Sequence, residues 1–381
     1  MTKLRIAIAI DLEWPVSHHH DVVRGILQFA GKKPDWHIIV DPFVECQSPG
    51  AHGGEPSYAG VIARATTELA EFLQAHAIPG VNVWLDSPDR SLPRVLPDQN
   101  KAGAMACEHL VERGFKNFGF LGMEADGNTV ALRDGFESVL PRSEHTYNEE
   151  GIDGFPRSGE QWIEVKDKLN RWLDTWMLPV GVLTTDDIIG RYLVNVCLER
   201  GLKVPDDVAL IGCGNYELAC NSLEPTLSSI DYGYARIGYR AAETLDRILE
   251  GERHTPPVQR IPPEGLFKRR STEVAAMDDP LVASALRFIW DHAHEPILVD
   301  DVVRVVPASR RVLERRFRRS NRASIHQEIT RARIEQAKRR LVESEAPIGT
   351  IANLVGYATA EHFIRIFRES TGKTPRQYRL R

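Results

Sequence analysis

The sequence predicts two fold classes in one chain: an α/β body of two doubly wound subdomains, then a small all-α domain with two helix-turn-helix motifs. Three observations carry this. From Lys3 to about Arg270, short apolar runs alternate with amphipathic stretches. A polar segment, FKRRSTEVAAMDDP at 267–280, then interrupts the alternation. Beyond it the apolar spacing is helical throughout. With 381 residues, 42% hydrophobic and 27% charged, the chain is globular and too long for one ordinary core. The expected division is 1–270, a linker at 271–280, and 281–381.

The body reads element by element. LRIAIAI is a buried strand, HDVVRGILQFAGK a helix and WHIIVDPF a strand. GVIAR is a strand, TTELAEFLQAH a helix and VNVWLD a strand. NKAGAMACEHLVERG is a helix, FGFLG a strand, and TVALRDGFESVL and DKLNRWLDTWM are helices. GVLTTDD runs as a strand into the helix IIGRYLVNVCLERG, then VALIGCG and LSSID are strands and YARIGYRAAETLDRILEG is a helix. Continuous apolar strands alternating with helices imply parallel sheets covered on both faces. The length favours two such sheets with a cleft between them, and in these folds ligands sit at the C-terminal strand ends.

The tail reads as helices at 280–294, 299–306, 309–319, 324–343, 348–355, 359–370 and 374–379. Two of its stretches share a design. VDDVVRVV, a turn, and SRRVLERRFRRS form one unit; IGTIANLV, a turn, and TAEHFIRIFRES form the other. Each is a short helix, a tight turn and a second helix with an N-cap, Ser309 or Thr359. Gly356 suits a turn position with positive φ. Pro307 cannot take that conformation, so the first turn must differ in detail.

Charge separates the two parts. Residues 280–381 hold 20 Lys and Arg against 11 Asp and Glu, while the whole chain holds 48 against 53. An acidic body carrying a basic tail points to a polyanionic partner for the tail alone. On the first unit's second helix, Val312, Leu313 and Phe317 form the apolar side, and Arg310, Arg311, Glu314, Arg315 and Arg318 lie opposite. On the second unit's, Phe363, Ile364 and Phe367 are expected in the core, with Glu361, His362, Arg365 and Arg368 facing out. Arginine forks onto guanine O6 and N7 and onto phosphates, so these faces suit a DNA major groove. A connecting helix of about 20 residues spans about 30 Å, close to one turn of DNA. Its Arg331, Arg333, Lys338, Arg339 and Arg340 are candidates for phosphate contacts.

Other chemistry finds little support. Five cysteines without a C-x-x-C pair predict neither a disulfide framework nor a zinc site. His18, His19 and His20 are adjacent and so diverge; they read as a solvated loop before a helix. No nucleophile elbow, Walker loop, H-E-x-x-H or dinucleotide fingerprint occurs. No enzyme activity, cofactor or metal is expected. The run MTKLRIAIAIDLEWP reads as a first strand rather than a signal peptide, so a cytoplasmic location is expected. An enzyme with a nucleic-acid-binding appendage and a sugar-binding transport component stay open as competing readings.

The last hundred residues resemble the AraC/XylS family of bacterial transcription regulators. The resemblance rests on ARIEQAKRRL in the connecting helix, PIxxIAxxVGY opening the second unit, and FIRIFRESTGKTPRQYR at the end. It implies that Arg311, Glu314 and Arg315, and Glu361, His362 and Arg365, occupy base-reading positions. Residues 1–270 resemble the effector domain of LacI-type repressors, which has a periplasmic-binding-protein-like fold. The landmarks are Arg133 to Phe136, Thr185 and Asp186, VPDDVALIG, LSSID and the closing RRST. The two parts in this order resemble the bacterial regulators of xylose operons. That resemblance implies a sugar effector (xylose or a similar one), a homodimer, operator DNA and RNA polymerase as partners, and activation of transcription. It places Asp11, Arg64, Arg133, Asp186 and Asn215 at the effector site, with a structural ion pair as the alternative for Arg133 and Asp186. Arg64 and Gly214 depart from the pattern, which has Asp at both, and leave another sugar or a sugar acid open.

Overall fold

The computed structural model describes residues 3–12, 18–46, 58–124, 127–141, 145–252, 258–273, 279–319, 324–343 and 346–379. The chain divides into two compact units, Met1–Thr272 and Glu273–Arg381.

The first unit holds two sheets. One is built from β1 (Leu4–Ala9), β2 (Trp36–Val40), β3 (Gly60–Ala63), β4 (Gly80–Asn82), β5 (Arg94–Pro97) and β11 (Val258–Ile261). Its order is β11-β5-β4-β3-β1-β2, parallel throughout. The other comprises β6 (Asn117–Met123), β7 (Thr146–Ile152), β8 (Val180–Thr184), β9 (Val208–Cys213), β10 (Ser228–Asp231) and β12 (Gly265–Phe267). Its order is β12-β10-β9-β8-β6-β7, with β12 alone antiparallel. The apolar runs become the buried centres: β3, β8 and β9 are buried at every residue. Strands β5, β7, β11 and β12 escaped the sequence reading. They are short, and TYNEEGI of β7 carries two carboxylates in a half-exposed strand beside β6, so the apolar signature of a central strand is missing there.

Helices α1 (His18–Ala30), α2 (Thr67–Ala75), α3 (Gln99–Glu112), α4 (Gly127–Glu137), α5 (Gly159–Leu173), α6 (Asp187–Glu199), α7 (Glu217–Asn221) and α8 (Tyr234–Leu249) cover the sheets. The α1 and α8 backbones meet closely. A Cβ on Gly25 would lie 1.8 Å from the Ala235 carbonyl oxygen, and one on Gly238 1.9 Å from that of Val22. The chain passes between the sheets three times: after β5, between β10 and α8, and between β11 and β12. The two sheets therefore form lobes around a cleft, as the alternation and length predicted.

Ser271 and Thr272, expected in the linker, belong to the first unit. Ser271 Oγ donates to the Leu210 carbonyl, and the Thr272 carbonyl accepts from Arg113 Nε at 2.5 Å. Arg269 is buried too, donating to the Leu227 carbonyl and to Asn215. The closing RRST is thus a plug in the second lobe.

The second unit holds α9 (Pro280–His292), α10 (Val299–Val305), α11 (Arg310–Arg319), α12 (Ile325–Glu343), α13 (Ile348–Leu354), α14 (Ala360–Thr371) and α15 (Pro375–Arg379). Each expected helix lies within two residues of its expected bounds. One core packs Leu286, Ile289, Val302, Leu313 and Phe317 around the start of α12; a second packs Ile334, Leu341, Ile351, Phe363 and Phe367 around its end. Each core is one helix-turn-helix unit, and α12 is shared by both.

Candidate functional site

A cavity of about 270 Å³ opens in the first unit where strand ends of both sheets converge. Ile10, Arg64, Val83 and Pro97 line it from just beyond or at the ends of β1, β3, β4 and β5. Met123, Phe155 and Asp186 come from the ends of β6, β7 and β8, and Tyr234 from the crossover into α8. His18, His19 and Val22 enter from α1, and Trp84, Leu85 and Asp86 from the turn after β4. Mostly apolar walls with a few convergent polar groups are the usual make-up of a small-ligand site.

Arg64 lies with its guanidinium carbon 4.6 Å from the centre of the Trp84 ring. Burial works against its charge and lowers its pKa, while Asp11 and Asp86 favour the charged form. Asp186 caps α6, accepting from the Ile188 N–H at 2.6 Å. Burial raises its carboxyl to about 6, against the pull of the helix-end N–H groups. Beside it Asp187 is buried, accepts from the Tyr216 N–H at 2.7 Å, and is raised to about 7 by burial and by Asp186.

Three sequence expectations are corrected here. Arg133 does not line the cavity. It sits on α4 next to buried Leu132, turned toward Glu149 at 3.5 Å, Glu137 at 3.8 Å and Asp134 at 3.9 Å. Its ion pairs are with carboxylates of α4 and β7 rather than with Asp186, and Leu132 and Phe136 take the inward face instead. Asn215 also stays out of the lining. Its φ is +55°, its amide donates to Asp231 at 3.2 Å, and its carbonyl accepts from Arg269 at 2.7 Å. Third, His18 and His19 are not in a solvated loop. They form the first turn of α1, both line the cavity, and His19 Nδ1 bonds the Asp11 carbonyl at 2.5 Å. Asp11, also expected at the effector site, is exposed and outside the lining, though close enough to Arg64 to favour its charge.

Of the expected contacts, Arg64 and Asp186 line the cavity. Trp84, Asp86, Phe155, Met123 and Tyr234 do too, and the sequence reading missed them. The available signal was position: VNVWLD overruns β4, so its last three residues fall at the C-terminal strand end.

In the second unit, α11 and α14 each bury one stripe and expose the rest. On α11, Leu313 and Phe317 are buried, Val312 is half-buried, and Arg310, Arg311, Arg315 and Arg318 are exposed. Arg310 pairs with Asp300 at 3.1 Å and with half-buried Glu314 at 3.0 Å. On α14, Thr359 caps the helix by accepting from the His362 N–H at 3.3 Å. Phe363 and Phe367 are buried; Glu361, His362, Arg365 and Arg368 are exposed, with Arg365 bonded to Glu369 at 3.0 Å. Such exposed pairs contribute about 0–1 kcal/mol and exchange readily for another anion. Ile364, expected in the core, is 37% exposed, and Ile366 packs inward instead.

Gly356 has φ +78°, and a Cβ there would meet the Glu295 carbonyl oxygen at 2.6 Å. The turn between α13 and α14 therefore requires glycine, as expected. The matching turn runs through extended Val306, φ −109° and ψ 130°, so it does differ. Arg333, a phosphate candidate from sequence, faces the protein. It donates to the Ala293, Glu295 and Ile297 carbonyls at 2.9–3.3 Å and lies over Tyr357. Arg331 lies over Trp290, and Lys338 pairs with Glu335 at 2.7 Å. The Arg339 side chain lies outside the described set, and Arg340 is half-buried.

The comparisons agree with both units. A family model for a periplasmic binding protein-like domain matches residues 107–272, and one for a helix-turn-helix domain matches 302–381. The fold and sites define a DNA-binding transcription regulator with a periplasmic-binding-protein-like effector domain. The xylose operon regulatory protein of Haemophilus influenzae is 30% identical over 392 residues, covering 100% of both chains. That of Escherichia coli K12 is 32% identical over 274 residues, 71% of this chain and 69% of the relative. The chain belongs to the family of xylose operon regulatory proteins. A solved structure of a xylose-binding transcription activator matches with TM-score 0.68 and 26% identity, over 100% of this chain and 98% of that one. A LacI-family regulator from Enterococcus faecium, solved with bound ribose, shares the fold of the first unit. Its TM-score is 0.55 at 21% identity, over 72% of this chain and 100% of that one. These relatives are transcription regulators rather than enzymes. Among the described residues no helix is long and apolar enough to cross a membrane.

Proposed function

We propose that this protein is a cytoplasmic, homodimeric activator of an operon for the catabolism of xylose or a related sugar. The observation that carries the reading is the cavity at the C-terminal strand ends, in a chain whose other unit carries two helix-turn-helix units. Arg64 and Asp186 supply planar polar groups that bond paired hydroxyls, and Trp84 and Tyr234 supply flat faces. In the basic unit, Arg311, Glu314 and Arg315, with Glu361, His362 and Arg365, read base edges. Arg310, Arg318 and Arg368 meet phosphates and fix the register.

Sugar changes transcription because it binds two arrangements of the dimer with different affinity; equal affinity would shift nothing. RNA polymerase reads the result. A thermal-shift screen of pentoses, hexoses and sugar acids tests this, since a ligand selective for the folded state raises the melting temperature. A rise with xylose or a related neutral sugar is expected. No rise with any sugar at millimolar concentration contradicts the reading.

A further inference from the structure

We propose that His18 is a ligand-contacting, specificity-determining residue of this cavity, and that the missing side chain of Gly214 is what makes room for its ring. The inference rests on the reading of the cavity as a sugar site.

The geometry at 214 comes first. Gly214 has φ +113°, a conformation that side-chain-bearing residues rarely adopt. A Cβ there would lie 2.5 Å from His18 Nε2 and 3.1 Å from Cε1. Both are inside van der Waals contact, so this ring position and a side chain at 214 exclude one another.

The ring is also held. It stacks on Tyr234 with centroids 4.2 Å apart and planes 22° apart, and Tyr234 packs edge-on against Tyr232 at 5.6 Å. His18 and Tyr234 together make one wall of the cavity. Arg64, Asp86 and Asp186 supply the charged part of the lining.

His18 Nε2 is buried and has no hydrogen-bond partner among the described residues. An unpaired buried nitrogen costs free energy, which a ligand hydroxyl that reaches it would recover. Burial, with His19 beside it, lowers the imidazole pKa to about 4, so the ring is neutral at pH 7. A neutral imidazole has one donor and one acceptor nitrogen, and a sugar hydroxyl both donates and accepts. A neutral ring held against Tyr234 thus stands in the wall of the cavity. Such a group discriminates between epimers by which hydroxyl reaches it.

The test is calorimetric titration of the full chain with D-xylose and with its epimers at C2, C3 and C4, namely D-lyxose, D-ribose and L-arabinose. His18→Phe keeps a flat ring and removes both nitrogens. It is expected to weaken the preferred pentose by about tenfold, the value of one hydrogen bond to a neutral group. It is also expected to bring at least one disfavoured epimer to within about threefold of the preferred one. Gly214→Ala leaves the imidazole intact but displaces it, and should give the same collapse of discrimination. His18→Asn, which keeps a donor and an acceptor, should restore part of it. An unchanged epimer profile in both His18→Phe and Gly214→Ala, with melting temperatures kept, overturns the role of His18 and leaves the sugar reading standing. A wild-type chain that binds none of the four pentoses overturns the role of His18 in pentose selection; one that binds no sugar of the thermal-shift screen overturns the sugar reading as well.

Discussion

Two buried positions make separable predictions at the scale of single residues. Asp187 is enclosed, and its carboxyl is raised from 3.8 to about 7 by burial and then by Asp186. The native state therefore keeps a proton between those values that the unfolded chain releases. Its contribution to stability is present below the unfolded value and is lost as pH rises through the folded one. Asp187→Asn is expected to raise the melting temperature above pH 7 and to change little near pH 4; an offset constant across pH contradicts the assignment. Gly356 tests conformation instead. Gly356→Ala combines a positive φ, costing about 1–2 kcal/mol, with a methyl against the Glu295 and Ala293 carbonyls. Chemical denaturation should show the second unit destabilised by at least about 2 kcal/mol, and a loss below about 0.5 kcal/mol would mean that the turn relaxes. Gly356 was legible because a turn between two helical repeats has few chemical solutions. His18 was not: three adjacent histidines look alike in sequence, and only the fold decides which ring is swallowed. Arg133 misled because a motif-like string fixes a helix but not which of its faces looks into the cleft.

At the scale of elements, the helices of the second unit were readable because apolar spacing, an N-cap at Thr359 and the Gly356 turn all agree. The faces were less so. Arg333 and Arg365 are both arginines on amphipathic helices, yet one satisfies three carbonyls while the other stands in solvent. Arg333→Ala should lower stability by about 1–2 kcal/mol, since a charged donor is removed from three carbonyls, two of them partly buried. It should leave the salt dependence of DNA binding unchanged. Arg365→Ala should leave stability within about 0.5 kcal/mol and cost about 1–3 kcal/mol at one operator position, relaxing preference there. Equal losses by Arg365→Ala on operator and random DNA would sink its role as a base reader. In the first unit, buried strands such as VALIGC announced themselves. The edge and crossover strands β5, β7, β11 and β12 did not, since their residues are split between sheet and solvent. Yet β11 and β12 are what tie the chain back into both lobes after α8.

At the scale of the whole molecule, charge and function divide along the same boundary. The sequence showed an acidic body with a basic tail, and the structure puts a small-ligand cavity in one unit and two helix-turn-helix units in the other. Which sugar fills the cavity was not legible, because its lining comes from at least seven separated segments and the close approach of His18 to Gly214 spans almost 200 positions. The central claim is that the two units are thermodynamically linked. The direct test is the operator affinity of the full chain, measured by fluorescence anisotropy at fixed salt with and without saturating D-xylose. A coupling of about 1–3 kcal/mol, or roughly 5–150-fold, is expected. Linkage also demands that operator DNA change the affinity for xylose by the same factor. Identical operator affinities with and without a sugar that calorimetry shows to be bound would contradict the account.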